Sequence, residues 1–311
     1  MKVFVAGATG VIGRRLVPML VSHGHNVTAM TRSPGKADQL QAAGATPAIR
    51  DVFDAEGLNA EVAAAAPEVL VHELTDLPPN LDPRRAAEQL AGNDRIREEG
   101  TRNLVEAALG AGVRRIVAQS IAFAYEPGGG LKTEDDPLFD GAPFPWSRSV
   151  RSVHVLEDAV TKTEGLEGIV LRYGFFYGPG SSYAPDGAQA GAVRRRRFPT
   201  VGRGSGVFSF IHVDDAAAAT VAAIERGRPG IYNVVDDEPA PVREWLPVYA
   251  EALGAPRPRR VPKLVARLVA GRYATLLATE LSGASNARAK AELGWQPRYP
   301  SWRQGFREAI G

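Results

Sequence analysis

The stretch Val3-Phe4-Val5-Ala6-Gly7-Ala8-Thr9-Gly10-Val11-Ile12-Gly13-Arg14-Arg15-Leu16-Val17-Pro18-Met19-Leu20 decides the fold. Its first four residues read as a short buried strand, and the residues after Gly13 carry a helical pattern. A glycine-rich turn between a strand and a helix is how α/β proteins hold a dinucleotide. Gly7 permits the tight turn, Gly10 lets the backbone approach a pyrophosphate, and Gly13 lets the helix pack close to the strand. The helix start then offers free N–H groups and partial positive charge to the phosphates. Gly7, Thr9, Gly10, Val11, Ile12 and Gly13 are therefore the first candidate cofactor residues.

The pattern continues outward from this turn. Strands are predicted at Asn26–Met30, Glu68–His72, Arg115–Ser120, Gly168–Arg172 and Ile231–Val235. Helices are predicted at Lys36–Ala43 and Gly100–Ala108, and beyond the strands near Arg243–Leu253, Lys263–Ala270 and Asn286–Leu293. Alternating strands and helices imply a Rossmann-type, doubly wound parallel sheet with helices on both faces. Ligands in such sheets bind beyond the C-terminal strand ends, where Ser120, His72 and Arg172 are expected. The chain divides into a dinucleotide-binding domain over residues 1–175 and a smaller, mainly substrate-binding lobe over 176–311. Residues 207–238 return to the first domain.

Composition narrows the class. With 37 basic and 35 acidic residues, a net charge of +2 does not point to nucleic acid as the main partner. The absence of cysteine excludes disulfides, thiolate metal sites and cysteine nucleophiles. No apolar run reaches the roughly 18–20 residues of a membrane span, and the first residues form a strand rather than a leader. A cytoplasmic protein with a small-molecule substrate, no metal and no membrane partner is the expectation.

The second strand is followed by Thr31-Arg32-Ser33-Pro34-Gly35-Lys36, without the acid that bonds a ribose 2′-hydroxyl in NAD-specific sites. Arg32 can pair with a 2′-phosphate as a fork, assisted by Ser33 and Lys36. NADP is therefore expected over NAD.

Four further segments carry a resemblance: Gly100-Thr101-Arg102-Asn103-Leu104, Leu171-Arg172-Tyr173-Gly174-Phe175-Phe176-Tyr177-Gly178-Pro179-Gly180, Phe210-Ile211-His212-Val213-Asp214-Asp215 and Leu293-Gly294-Trp295-Gln296-Pro297. Over nearly its whole length the chain resembles the extended short-chain dehydrogenase/reductase family of NAD(P)-dependent epimerases and dehydratases. That resemblance implies an adenine contact at Asp51 and Val52, a ribose and phosphate border at Leu74, and a nicotinamide pocket shaped by Tyr173, Gly174, Phe175 and Phe176. It also implies possible homodimers.

The chain departs from the family at its Tyr-x-x-x-Lys helix, where the Tyr moves a proton and the Lys lowers its pKa and holds the ribose. None of the eight tyrosines has a lysine four residues later. The Tyr and Lys positions fall near Ser149 and Val153, and the family's Ser/Thr falls at Ile121, beside Ser120. Substitute groups are Ser120 on a substrate oxygen, Tyr125 as proton donor, Ser149 in the lost Tyr position, and Arg148 for an oxyanion or anionic substrate. Glu73 is a candidate base, and the Arg194–Arg197 run is a solvated face or an anion contact. Asp214 or Asp215 is expected to cap the helix that follows His212. The expected function is NADP(H)-dependent reduction of a small carbonyl or conjugated metabolite, as in the family's atypical branch. Redox-neutral chemistry on a retained cofactor and a non-catalytic NADP sensor stay open.

Overall fold

A computed structural model describes residues 1–78, 81–82 and 84–310. Seven strands form the central sheet: β1 (Lys2–Ala6), β2 (Asn26–Thr31), β3 (Thr46–Ile49), β4 (Val69–His72), β5 (Arg115–Ile121), β6 (Glu167–Tyr173) and β7 (Gly230–Val234). They are all parallel in the order β3-β2-β1-β4-β5-β6-β7. The strand order reverses between β1 and β4, which opens a crevice at their C-terminal ends.

Side-chain alternation assigns each strand to two cores. Val3 and Val5 join Leu16, Leu20 and the Val213–Arg226 helix on one face. Phe4 and Ala6 join Leu70, Leu104 and Leu156 on the other. Both faces are covered, so β4 is buried at every residue, as parallel strands require. At the outer rim, β3 is four residues long and sets Pro47 opposite Ala29.

The Trp146–Thr161 helix buries Trp146, Ser149, Val150, Ser152, Val153, Leu156, Glu157 and Val160. Steps of three and four place these residues on one face. Two serines and a glutamate on that face therefore point into the protein. A third core, rich in aromatic residues, is built on Tyr177, Phe210, Trp245, Tyr249, Trp302 and Phe306.

One local expectation is corrected. The Val213–Arg226 helix is capped by His212, whose Nδ1 accepts the Asp214 N–H at 3.2 Å. Burial lowers the imidazole pKa, which favours the neutral ring with a free lone pair. The Asp215 carboxylate accepts instead from the N–H groups of Arg298 and Tyr299 at 2.8 and 2.9 Å. The helix predicted over Lys263–Ala270 ends where expected, at Gly271 with φ +82°, and a second helical stretch continues to Glu280. Among the described residues, no helix is long and apolar enough to cross a membrane.

Candidate functional site

The site begins at the turn after β1. Gly7 has φ +93°, and a Cβ there would lie 2.5 Å from the Glu73 carbonyl oxygen. A Cβ on Gly13 would lie 2.3 Å from the Gly7 oxygen, so the helix start presses directly onto the turn. Gly10 is different: it is exposed, and its nearest obstacle is the Gly7 oxygen at 3.2 Å. Two glycines are thus required by the protein's own packing, while the third leaves an open cradle that a Cβ would fill. The N–H groups of Val11 and Ile12 find no acceptor among the described residues. This donor set suits a pyrophosphate.

The neighbouring turns are built around that cradle. Thr9 and Thr31 share a hydroxyl contact at 3.3 Å, and the Ser33 N–H donates to Thr31 Oγ1 at 3.2 Å. Arg32 is exposed and meets Asp76 at 3.5 Å. The Asp51 carboxylate accepts the Phe53 N–H at 3.0 Å, and the Val52 carbonyl accepts Asn103 Nδ2 at 2.9 Å. Leu74 donates its N–H to His72 Nδ1 at 3.2 Å, leaving His72 Nε2 to donate to Thr101 Oγ1 at 3.1 Å. Burial, reinforced by the charge of Arg97, pushes the His72 pKa down to about 4. His72 is therefore a neutral strut for the Leu74 turn.

Beyond β6 the chain turns sharply at Gly174, where a Cβ would lie 2.5 Å from the Ser209 carbonyl oxygen. Tyr173 points down into the core, with its hydroxyl on Thr220 at 2.6 Å and Glu73 at 3.2 Å. Phe176 packs beside it, 5.4 Å between ring centroids. Phe175 faces the other way and stacks on Phe123 at 4.3 Å and Phe208 at 4.4 Å. Phe123 in turn stacks on Trp146 at 6.0 Å, and Trp146 meets Tyr273 at 5.5 Å. This ladder of five rings runs from Phe208 through the Trp146–Thr161 helix to Tyr273 on the Lys263–Glu280 segment.

The proposed chemical groups divide into two sets. Ser120 donates to Glu157 at 2.7 Å, and Glu157 receives two hydrogen bonds from Arg172, at 2.8 and 2.6 Å. Arg172 donates its third bond to the Tyr125 hydroxyl at 2.8 Å, which donates to Asn233 at 2.7 Å. All five residues are buried. Burial pushes the Tyr125 phenol up to about 12 despite the nearby guanidinium. Ser120 and Tyr125 are thus held in one internal network that ties β5, β6, β7 and the Trp146–Thr161 helix together.

Ser149 belongs to the second set. It is 1% exposed, and its hydroxyl has no partner among the described residues. Val153 and Ile121 lie in the apolar cluster with Trp146 and Tyr273. Arg148 is exposed at the edge of that helix face, one turn before Ser152, where it meets Asp94 at 3.6 Å and lines a groove with Arg95, Glu98 and Arg102. Glu73 keeps one oxygen without a partner, and burial pushes its carboxyl up to about 8. It faces Tyr173 rather than the crevice and is mostly protonated near neutral pH, which makes it a poor base there. Of the Arg194–Arg197 run, Arg194 bonds the Pro185 carbonyl at 2.5 Å and the other three are exposed.

Sequence reasoning missed Glu157, Asn233, the ring ladder and Arg97. Glu157 carried one signal: it is the lone carboxylate on a helix face otherwise made of apolar residues and two serines. Arg97 lies in a π-helical turn, Ile96–Gly100, which has no sequence signature.

A crevice at a strand-order reversal, with a glycine cradle and unpaired N–H donors, defines a Rossmann-type nucleotide-dependent enzyme. The chain belongs to the NAD dependent epimerase/dehydratase family, whose model matches residues 3–234. It is 48% identical to a 3-diazoavenalumate denitrifying reductase from a Streptomyces species, over 98% of this chain and 99% of that protein. It is 27% identical to the 2-alkyl-3-oxoalkanoate reductase of Stenotrophomonas maltophilia, over 83% and 77% of the two chains. Among solved structures, the Thermus thermophilus UDP-glucose 4-epimerase in complex with NAD matches with TM-score 0.75 and 25% identity, over 100% and 98% of the chains. A human epimerase family protein with NADPH has the same fold, with TM-score 0.75 and 24% identity over 100% and 99%. The chain is an enzyme of this nicotinamide-dependent family, and its relatives place it among the oxidoreductases.

Proposed function

We propose that this protein is an NADPH-dependent reductase whose substrate is an aromatic electrophile that needs no proton from the enzyme. The observation that carries the reading is the chemistry at Ile121, Ser149 and Val153. The positions aligned with the family's Ser/Thr, Tyr and Lys hold an alkyl chain, a lone hydroxyl and another alkyl chain. An unassisted serine, with a pKa far above neutrality, is a poor general acid.

Reduced nicotinamide, when bound, supplies a hydride. A carbonyl that accepts hydride becomes an alkoxide and requires a proton. An aryl diazonium does not: carbon gains the hydrogen, the carbon–nitrogen bond breaks, and N2 leaves with the bonding pair. The name of the 48% identical relative combines a diazo substrate with denitrifying reduction, and the missing acid fits the same class here. The half-buried rings of Phe123 and Phe175, backed by the buried Trp146 and Tyr273, offer aromatic surface for the substrate, held between the dinucleotide-binding domain and the smaller lobe.

The residues present suit the cofactor. Gly7, Gly10 and Gly13 shape the pyrophosphate cradle, Thr9, Val11 and Ile12 line it, and Asp51 and Val52 border the adenine. Leu74 flanks the ribose, while the Gly174 turn sets Phe175 and Phe176 beside the nicotinamide. Arg32 would receive the 2′-phosphate. Its present partner Asp76 is exposed, and such surface pairs contribute only about 0–1 kcal/mol, so exchange for a dianion costs little.

The test is NADPH consumption with an aryl diazonium carboxylate, above the rate without protein, alongside simple ketones and aldehydes. Expected are N2 release and an arene carrying deuterium from NADPH labelled on the transferred position. Turnover of ketones without turnover of the diazonium would refute the reading.

A further inference from the structure

The Trp146–Thr161 helix has no cation on its buried face, although a family dinucleotide site uses a lysine there to hold the ribose. The segment packed against that face supplies one. Ile96–Gly100 forms a π-helical turn between the helices Ala91–Arg95 and Thr101–Gly110, and Arg97 lies within it. Such turns insert a residue into a helix and often mark functional positions.

Arg97 is half-buried and has no hydrogen bond or ion pair with any described residue. Its charged surroundings come from every element packed around it: Asp94 on its own helical run, Glu157 on the facing helix, His72 at the end of β4, and Tyr273 from the smaller lobe. The two carboxylates are already engaged. Asp94 receives Ser152 at 3.0 Å and Arg148 at 3.6 Å, while Glu157 holds Arg172 and Ser120. Burial accordingly lowers the guanidinium pKa, with Asp94, Glu157 and Tyr273 opposing the shift. A half-buried cation that no described side chain pairs with is free to complete its hydrogen bonds on a ligand. The orphaned Ser149 hydroxyl on the facing helix is a second unmet polar group. His72, beside Arg97, props the Leu74 turn that borders the cofactor.

We propose that Arg97 replaces the missing lysine as the cation that binds the hydroxyls of the nicotinamide-side ribose, with Ser149 as its companion. Val153 stands where the helix would carry the lysine, and the guanidinium comes instead from the π-helical turn packed against that helix. Arg97 is a cofactor-binding and positioning residue in this scheme and moves no proton. The inference rests on the NADPH reading above.

The test is fluorescence titration of purified Arg97→Met and Arg97→Lys with NADPH, NADH and adenosine 2′,5′-bisphosphate, which lacks the nicotinamide ribose. Charge-assisted hydrogen bonds of this kind contribute about tenfold or more in affinity. Arg97→Met is expected to weaken NADPH and NADH alike by about that factor, with adenosine 2′,5′-bisphosphate unchanged and Arg97→Lys largely restored. Because it removes a half-buried charge that pairs with no described residue, Arg97→Met is also expected to leave the melting temperature of the free protein equal or higher. Undiminished dinucleotide binding would overturn the proposal, as would equal weakening of the bisphosphate or a melting temperature lowered with binding intact. Failure of the parent protein to bind either dinucleotide would instead overturn the cofactor reading itself.

Discussion

Glu73→Gln tests the electrostatics beneath the glycine turn. Glu73 is 5% exposed, accepts one hydrogen bond from Tyr173, and has one oxygen without a partner. Burial pushes its carboxyl from 4.5 to about 8, against the opposing pull of the Tyr173 hydrogen bond. Between those values the folded protein keeps a proton that the unfolded chain releases. Stability from this group is therefore greatest below pH 4.5, falls as the pH rises towards about 8, and is level above that. One pKa unit corresponds to about 1.4 kcal/mol, so the full cost approaches roughly 5 kcal/mol. Glutamine stays neutral and keeps a carbonyl oxygen for the Tyr173 hydroxyl. Relative to the variant, the parent should lose about 2 kcal/mol between pH 6 and pH 8. Urea unfolding of both proteins at pH 6, 7 and 8 measures this, and the difference cancels the other titrating groups. A stability gap independent of pH would refute the assignment of a protonated Glu73.

Four other perturbations address the site and its frame. Arg32→Ala should weaken NADPH about tenfold or more while leaving NADH nearly unchanged, and equal weakening in titrations would remove the 2′-phosphate assignment. Gly10→Val should abolish binding of both dinucleotides in titrations, because its side chain would fill the cradle, and should lower the melting temperature modestly, because its Cβ would press on the Gly7 carbonyl oxygen at 3.2 Å. Glu157→Gln breaks a bidentate ion pair whose side chains are each 4% exposed, and chemical denaturation should register a loss of about 3–5 kcal/mol. Ser149→Tyr combined with Val153→Lys should add reduction of simple aldehydes to the activity, assayed as NADPH consumption. No gain from a folded, NADPH-binding double variant would show that the lost pair is not what limits carbonyl chemistry.

The elements that were legible in the sequence have local causes. Gly7 and Gly13 are demanded by backbone contacts within a few residues or one neighbouring turn, and β1, β4, β5 and β6 are short apolar runs. The Ala55–Ala65 helix escaped because alanine fills nearly half of it and only Leu58 and Val62 are buried. Strand β3 escaped because Pro47 reads as a loop. At the site, the glycine cradle was readable, whereas the internal engagement of Ser120 was not. Its partner Glu157 is 37 residues distant, and only the fold brings Arg172 and Tyr125 to the same place. The His212 cap was hidden by two aspartates beside it, which are the more usual capping residues.

Pro47 has a consequence for assembly. An open sheet ends in a rim of unpaired donors and acceptors, a template on which a second chain can lay a strand. Here that rim is β3, only four residues long and interrupted by a residue with no N–H to offer. Continuation of the sheet into a neighbouring molecule is blocked on that side, so self-association across it would have to be made by helices rather than by strand addition.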